Sequence, residues 1–596
     1  MQKSQVGLLR ALLYRILKSA PDLVKTVCSD HYPPEEWEIG ELNKAFQQLS
    51  QQTILPAKYC FFIDGLDEYD GEAEDINKVL TSLAKSPCVK ICVSSRPWPA
   101  FEEAFEGLKY VLIVQNFTLE DMKVYVENRL EKNINFQALE AEDPRCRLIV
   151  TKIAERAQGV WLWVYLVTRD LRRALNGKEK YEVLEKILYS FPENLEEYFD
   201  RIIKKINPIF QEDMSQIFLI TLDAVQPLPM LAFTFLRSQQ KDHNYAINQI
   251  IQPMTDSEVS KVYDEWFGKI HNRCGDLLTV RASDNISFFK HRVDFLHRTV
   301  RDFLRDNYYA NLRKSVGDNF SATLSLCYMM LALVKRLPAS RNFRSSINQI
   351  IGLVDELLYY AHEVERSGGS AQVELLDNLD SVISEYARGE YNHWTHARDL
   401  PRSGPLDKYI EGGKCTFLAL TVQARLVKYV GAKLDSNSRL IQKFGRPLLD
   451  YALRPKRKTP IGLPYHRQRE YTSVDVEMVQ LLLGRGANPN QVVHLNGGQT
   501  VWGLFLLSCY ENASDASEAL KDAWYQASEL LVDRNADSGW HCSIQRITAT
   551  EIPIDIVLSR IFGPKRAGEL VSRMARQRKT WPQWIYNVVQ GLLVIT

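Results

Sequence analysis

The stretch Lys58-Tyr-Cys-Phe-Phe-Ile-Asp-Gly-Leu-Asp-Glu-Tyr-Asp-Gly71 decides the fold. Tyr59 to Ile63 form a continuous apolar run, the pattern of a short strand buried on both faces. Asp64, Asp67 and Glu68 follow where such a strand ends. Ligands of open α/β sheets bind at that edge. An acid there can hold Mg²⁺, directly or through water, and a neighbouring acid can orient an attacking water. Asp64 is thus the candidate Mg²⁺ carboxylate, and Asp67 and Glu68 are the candidate catalytic acids.

A second short apolar run, Val89-Lys-Ile-Cys-Val-Ser-Ser-Arg-Pro97, ends in two hydroxyls, an arginine and a proline stop. Arg96 is expected to project from the same sheet edge as Asp64, where a guanidinium suits a terminal phosphate. The two segments, in this order and at this spacing, resemble the NACHT family of signal-transducing NTPases of the STAND class. The Walker B strand of that family reads like DGLDE, and its next strand ends in an SSRP-like motif. The resemblance implies ATP or ADP with Mg²⁺ as cofactor. Asp64 would then serve the metal, and Arg96 would read the γ-phosphate.

The phosphate-binding loop G-x-x-x-x-G-K-[ST] should precede that strand. Residues 1–57 hold only Gly7 and Gly40, and neither is followed by lysine. The opening run Gln2–Leu17 is similar to the helix that follows this loop in fungal NACHT proteins. The sequence is therefore expected to begin part-way through the nucleotide-binding domain, before which the Walker A loop would lie. Hydrolysis is not expected of this chain.

At 596 residues the chain is long enough for several domains. A hydrophobic share of 45% and a charged share of 25% are those of globular protein, not of a disordered tail. A net charge of +1 provides no global pull towards nucleic acid or anionic membrane, so neither is an expected partner. The ten cysteines include no C-x-x-C pair, which fits reduced thiols in a cytoplasmic protein. Cys88 and Cys92 read as core residues. The apolar run Ala322–Val334 is too short to span a membrane, which takes roughly 20 residues, and reads as a buried helix. The tail Trp581–Thr596 is interrupted by Pro582, Gln583, Asn587 and Gln590, and reads as a packed terminal helix.

The expected fold is multi-domain and mainly α. A partial α/β P-loop NTPase-like sheet occupies 1–115, with Val111–Val114 as a further strand. A helical bundle follows over 116–205. Thr118 is the expected N-cap of its first helix, with Asp121 at the capping-box position. Ala157–Leu171 resembles the A-x-G-x-F-L-W-V stretch of fungal NACHT proteins, with Trp161 and Trp163 as core aromatics. Residues 206–310 suit a winged-helix domain ending in Asp294-Phe-Leu-His-Arg-Thr-Val-Arg-Asp-Phe-Leu304. That run resembles the fungal motif FLHRTVRDFL and the MHD motif of immune-receptor ATPases. The resemblance makes His297 the candidate sensor of ADP; the alternative role is a helix cap.

Residues 311–440 read as helical without a chemical motif. Residues 441–596 read as two or three degenerate ankyrin-like repeats. Gly445–Ala452 is similar to G-x-x-L-L-H-x-A, with Asp450 in place of histidine. Val476–Asn490 matches a second helix and its turn, and Leu530–Asp537 echoes it. A basic, proline-containing insertion, Arg454–Arg469, breaks the first repeat.

Two functions follow. By resemblance the chain is a switch in fungal non-self recognition or programmed cell death, in which nucleotide exchange opens the domains and exposes an oligomerising surface. Alternatively it is a non-enzymatic scaffold that binds a protein partner through its helical and ankyrin-like regions.

Overall fold

The protein is described by a computed structural model. It covers residues 4–28, 37, 39–52, 55, 57–69, 71–95, 99–105, 110–112, 114, 117–157, 159–282, 287–338, 343–390, 392–396, 409, 411–455, 474–513, 516, 518–543 and 551–579. Arg96, most of the insertion Arg454–Arg469 and the tail from Trp581 lie outside these residues. The chain is mainly helical. It divides into two compact units, one of residues 1–106, 249–251 and 340–596, the other of 107–248 and 252–339.

In the first unit, the helix Gln5–Ser19 starts where the Ser4 hydroxyl accepts the Gly7 N–H at 3.1 Å. Its Leu9, Leu13 and Ile16 form one buried stripe. They share a core with Leu42, Phe46 and Leu49 of the helix Ile39–Gln51 and Ile76 and Leu80 of the helix Ala73–Ala84. Against this core lie strands β1 (Tyr59–Ile63) and β2 (Val89–Val93), paired in parallel with Tyr59 opposite Val89 and Ile63 opposite Val93.

Among the described residues only one face of this sheet is covered. Phe61 and Ile63 are buried, whereas Cys60 and Cys92 are exposed and Phe62 is 78% exposed. The expectations of a strand buried on both faces and of a core Cys92 are thereby corrected. Helices pack on one side of the sheet, and strand alternation sends every second side chain to the other.

The same unit carries a stack of four helical pairs: Phe417–Gln423 with Val427–Ser436, Leu448–Leu453 with Val476–Gly484, Val501–Asn512 with Glu518–Val532, and Ile554–Phe562 with Pro564–Lys579. First helices pack on first helices and second on second along the series. The stack starts at Phe417, upstream of the expected boundary at 441. The turns between pairs are tied too. The Arg446 N–H donates to the Glu411 carbonyl and the His494 N–H to the Gly445 carbonyl, each at 3.3 Å. Gly445, at φ +80°, sits so close that a Cβ would lie 2.4 Å from the Glu411 oxygen. Glu365 of the preceding helix accepts the N–H groups of Lys428 and Tyr429 at 2.8 and 2.9 Å.

In the second unit, helices Leu119–Leu130, Ile134–Glu142, Cys146–Arg156, Trp161–Asn176, Tyr181–Ser190 and Leu195–Lys205 form a bundle. Thr118 occupies the N-cap position but its side chain makes no capping bond, because its backbone is already helical at φ −90°, ψ −7°. Trp163 is buried, and its Nε1 donates to the Pro192 carbonyl at 2.7 Å. Trp161 is 41% exposed and meets the Tyr125 ring edge-on. Two residues along a helix face away from each other, so only one of the pair enters the core.

After the bundle come the helix Gln211–Asp223, strand β3 (Leu228–Pro229), a helical turn Met230–Lys241, the helix Asp256–Cys274, and the hairpin β4 (Leu278–Ala282) with β5 (His291–Phe295). The three strands form an antiparallel sheet in the order β3-β5-β4. The helix Ala322–Arg336 closes the unit, with Leu326 to Val334 almost entirely buried. Tyr110, Val111, Leu112 and Val114 are exposed and lie in no strand among the described residues, whereas Ile113 of the expected strand Val111–Val114 lies outside them. No described helix is long and apolar enough to cross a membrane.

Candidate functional site

The C-terminal ends of β1 and β2 are locked together by one residue. The Ser94 N–H donates to the Ile63 carbonyl and the Leu66 N–H to the Ser94 carbonyl, each at 2.9 Å. The Ser94 hydroxyl donates to Asp64 Oδ1 and accepts the Gly65 N–H at 3.2 Å. Gly65 takes φ +74°, a conformation that glycine adopts without steric cost, and so turns the chain sharply after the strand. The next residues, Leu66–Glu68, form a single 3-10 turn.

This turn separates the two predicted acids. Asp64 is exposed at the strand end, beside the Ser94 hydroxyl. Asp67 is 7% exposed and enclosed in the turn. The side chain of Glu68 and the whole of Arg96 lie outside the described residues. Asp64 can therefore offer its carboxylate to a cation or a water, while Asp67 is held within the protein. Ser94 was visible in the sequence only as a hydroxyl ending a strand. Its register, level with the acid on the neighbouring strand, is what gives it a role.

Among the described residues no three His, Cys, Asp or Glu side chains gather to hold a metal. Asp64 and Ser94 thus fit Mg²⁺ only as an ion that arrives with phosphates, which would supply most of its octahedron along with water.

His297 belongs to the second unit. It is the exposed N-cap of the helix Arg298–Asp306, at φ −152° and ψ 156°. Its Nδ1 lies 3.2 Å from the Thr299 backbone nitrogen and 2.9 Å from the Thr299 hydroxyl. A backbone N–H can only donate, so Nδ1 presents its lone pair and the ring proton sits on Nε2. The imidazole thus caps the helix through Nδ1. Below it Val300, Phe303 and Leu304 fill the core.

The first unit thus holds a short parallel strand pair whose acidic end is exposed, and the second holds an antiparallel sheet and a histidine-capped helix. Residues 1–96 match the family described as Nephrocystin 3, N-terminal. Residues 205–345 match a family described as Domain of unknown function (DUF7791). No curated protein and no solved structure matches the chain.

Proposed function

We propose that the chain is a NACHT- or STAND-type signalling protein in which Asp64 marks the Mg²⁺-facing end of the nucleotide-site strands. The carrying observation is the parallel pairing of β1 with β2, which puts Asp64 at the end of the strands with Ser94 bonded to it. The match of residues 1–96 to the nephrocystin 3 N-terminal family is compatible with this reading. So is the order helix, strand, helices, hairpin over Gln211–Phe295, which is that of a winged helix.

Residues 1–57 hold no G-x-x-x-x-G-K-[ST] run, so the residues given are expected to bind nucleotide weakly. The absent loop would supply several charge-assisted bonds, at ~1.5–3 kcal/mol each. Loss of three of them weakens affinity by about 10³-fold or more, which turns a micromolar site into a millimolar one. The test is hydrogen exchange of residues 59–69 and 89–95 during a titration with Mg·ATP. The expected outcome is protection only near millimolar nucleotide, and none in Asp64→Ala. Micromolar binding would refute the weak site, and equal protection in the variant would refute the role of Asp64.

The stack of helical pairs from Phe417 to Lys579 favours a second reading, a scaffold that binds a protein partner. Stacked repeats of this kind form extended surfaces suited to protein ligands. Pull-down of one partner by residues of the stack, unaffected by Asp64→Ala and by nucleotide, would favour the scaffold over the switch.

A further inference from the structure

Within the second unit, the turn Gly275–Leu277 leads from the helix Asp256–Cys274 into β4 and rests on the bundle. Asp276 on this turn gathers two guanidiniums and an imidazole. Its Oδ2 lies 3.1 Å from Arg169 Nη2 and 2.9 Å from Arg173 Nη1, both on the bundle helix Trp161–Asn176. Its Oδ1 lies 3.2 Å from Nδ1 of His271, on the helix that precedes the turn. Arg169 also donates to the Tyr198 hydroxyl at 3.0 Å, and that hydroxyl donates to Asp170 Oδ2 at 2.9 Å. Burial works against the Asp276 charge, but Arg173, Arg169 and His271 outweigh it and hold the carboxyl below its usual range. Further contacts cross the same joint. Gly275, at φ +58°, sits so close to the bundle helix Leu195–Lys205 that a Cβ would stand 2.7 Å from Ile202 Cγ2. Phe199 of that helix meets the ring of Phe303, on the helix that His297 caps, with 5.6 Å between centroids.

We propose that Asp276 is a clasp that makes the bundle and the region of the three-stranded sheet move as one body, so that a displacement of the His297-capped helix is carried into the bundle rather than absorbed at the connection 206–210. The charges are divided so as to hold the joint shut. The bundle presents two arginines four residues apart, on one face of a helix, and the sheet region presents the acid between them. If the halves separate, the arginines fall back on Asp170, 3.6 Å from each, and Asp276 falls back on His271. The Asp276 and Arg169 side chains are 19% and 18% exposed, and charges so far removed from water are costly to leave without their partners. Phe199 and Phe303 add an apolar contact that is lost in the same movement.

Only the use of this body in a switch rests on the proposed function. The clasp itself involves neither nucleotide nor the strands β1 and β2, so the two can fail separately. The test is hydrogen exchange of the full chain without nucleotide, with each side of the joint read after a change on the other. Asp276→Ala is expected to speed exchange of the bundle peptides 161–176 and 195–205 about tenfold or more. Arg173→Met, at a half-exposed position that folding tolerates, is expected to speed exchange of 270–282 about threefold. The helix Val501–Asn512, in the other unit, is expected to exchange as in the wild type in both variants. Faster exchange on both sides of the joint after either change supports the clasp, because a role confined to one turn or one helix would not cross it. Faster exchange only at 270–282 in Asp276→Ala, or only at 161–176 in Arg173→Met, overturns the proposal.

Discussion

Asp450→Ala is expected to unfasten the second helical pair of the stack. Asp450 is fully buried, and its carboxylate accepts from Arg446 Nε at 2.6 Å, Arg454 Nε at 2.8 Å and Arg454 Nη2 at 2.9 Å. Arg446 is itself 10% exposed at its side chain, with Glu411 at 3.5 Å as its other acid. Removal of one partner from a buried ion pair strands the others, at a cost of ~3–5 kcal/mol. At about 1.4 kcal/mol per decade, opening of the helix Leu448–Leu453 becomes ~10²- to 10³-fold more frequent. Hydrogen exchange of a peptide covering 446–454 reads this directly, with the helix Trp161–Asn176 as internal control. A triple change, Arg446→Met, Asp450→Leu and Arg454→Met, is expected to cost less than the single one, since it strands no arginine beside an empty carboxylate site. A loss of protection below tenfold in Asp450→Ala, or an equal loss in the triple variant, would refute the reasoning. The pH dependence follows with a definite sign. Burial works against the Asp450 charge, but Arg446 and Arg454 outweigh it and hold the carboxyl below its usual range. A lowered folded value contributes stability above the unfolded value of about 3.9, and that stability is lost as pH falls through the folded value. The stack is therefore expected to keep its protection down to about pH 4 and lose it below.

Lys335 is 2% exposed, its Nζ donates to the Ile247 carbonyl at 2.9 Å, and burial pushes its ammonium down to about 8. The folded state then binds fewer protons than the unfolded one between pH 8 and the ordinary lysine range. The Tm of the second unit is expected to rise across that interval, and to rise less in Lys335→Met. Gly445→Ala forces a Cβ against the Glu411 carbonyl in a left-handed conformation and is expected to cost ~1–3 kcal/mol, seen as faster exchange at 411–414 and 443–446. His297→Ala removes the cap of Arg298–Asp306 at ~0.5–2 kcal/mol, whereas His297→Asn, a good N-cap residue, keeps most of it. If both variants lose the same exchange protection, capping is not what His297 does for that helix.

How far the sequence could be read depended on which force each signal reports. Helices such as Gln5–Ser19 and Ala322–Arg336 were legible because their apolar periodicity is the burial itself. The strands at 59–63 and 89–93 were legible as short apolar runs with polar stops. Side-chain destinations were less so. Trp161 and Trp163 look alike in sequence, and only the helix phase decides which one meets Pro192 and Phe191. The first pair of the stack was missed although Gly412 and Gly413 precede it, because Phe417–Gln423 and Val427–Ser436 carry no repeat motif of their own. Their place is set by contacts with later helices, which no local window contains.

The site shows the same division more sharply. Asp64 stood out because an acid after an apolar run is a local pattern, and Ser94 did not because its contact with Asp64 depends on cross-strand register. Asp67, two residues beyond Gly65, is buried in the turn that this left-handed glycine begins, a placement that spacing alone does not show. Phe62 is the instructive failure. The run Tyr59–Ile63 is apolar at every position, so it reads as buried on both faces, yet Cys60 and Phe62 stand open. Exposure of a phenyl ring forgoes ~1.5–3 kcal/mol that burial would contribute. Successive side chains of a strand alternate between its faces, so a run that is apolar at every position does not by itself report which face is covered.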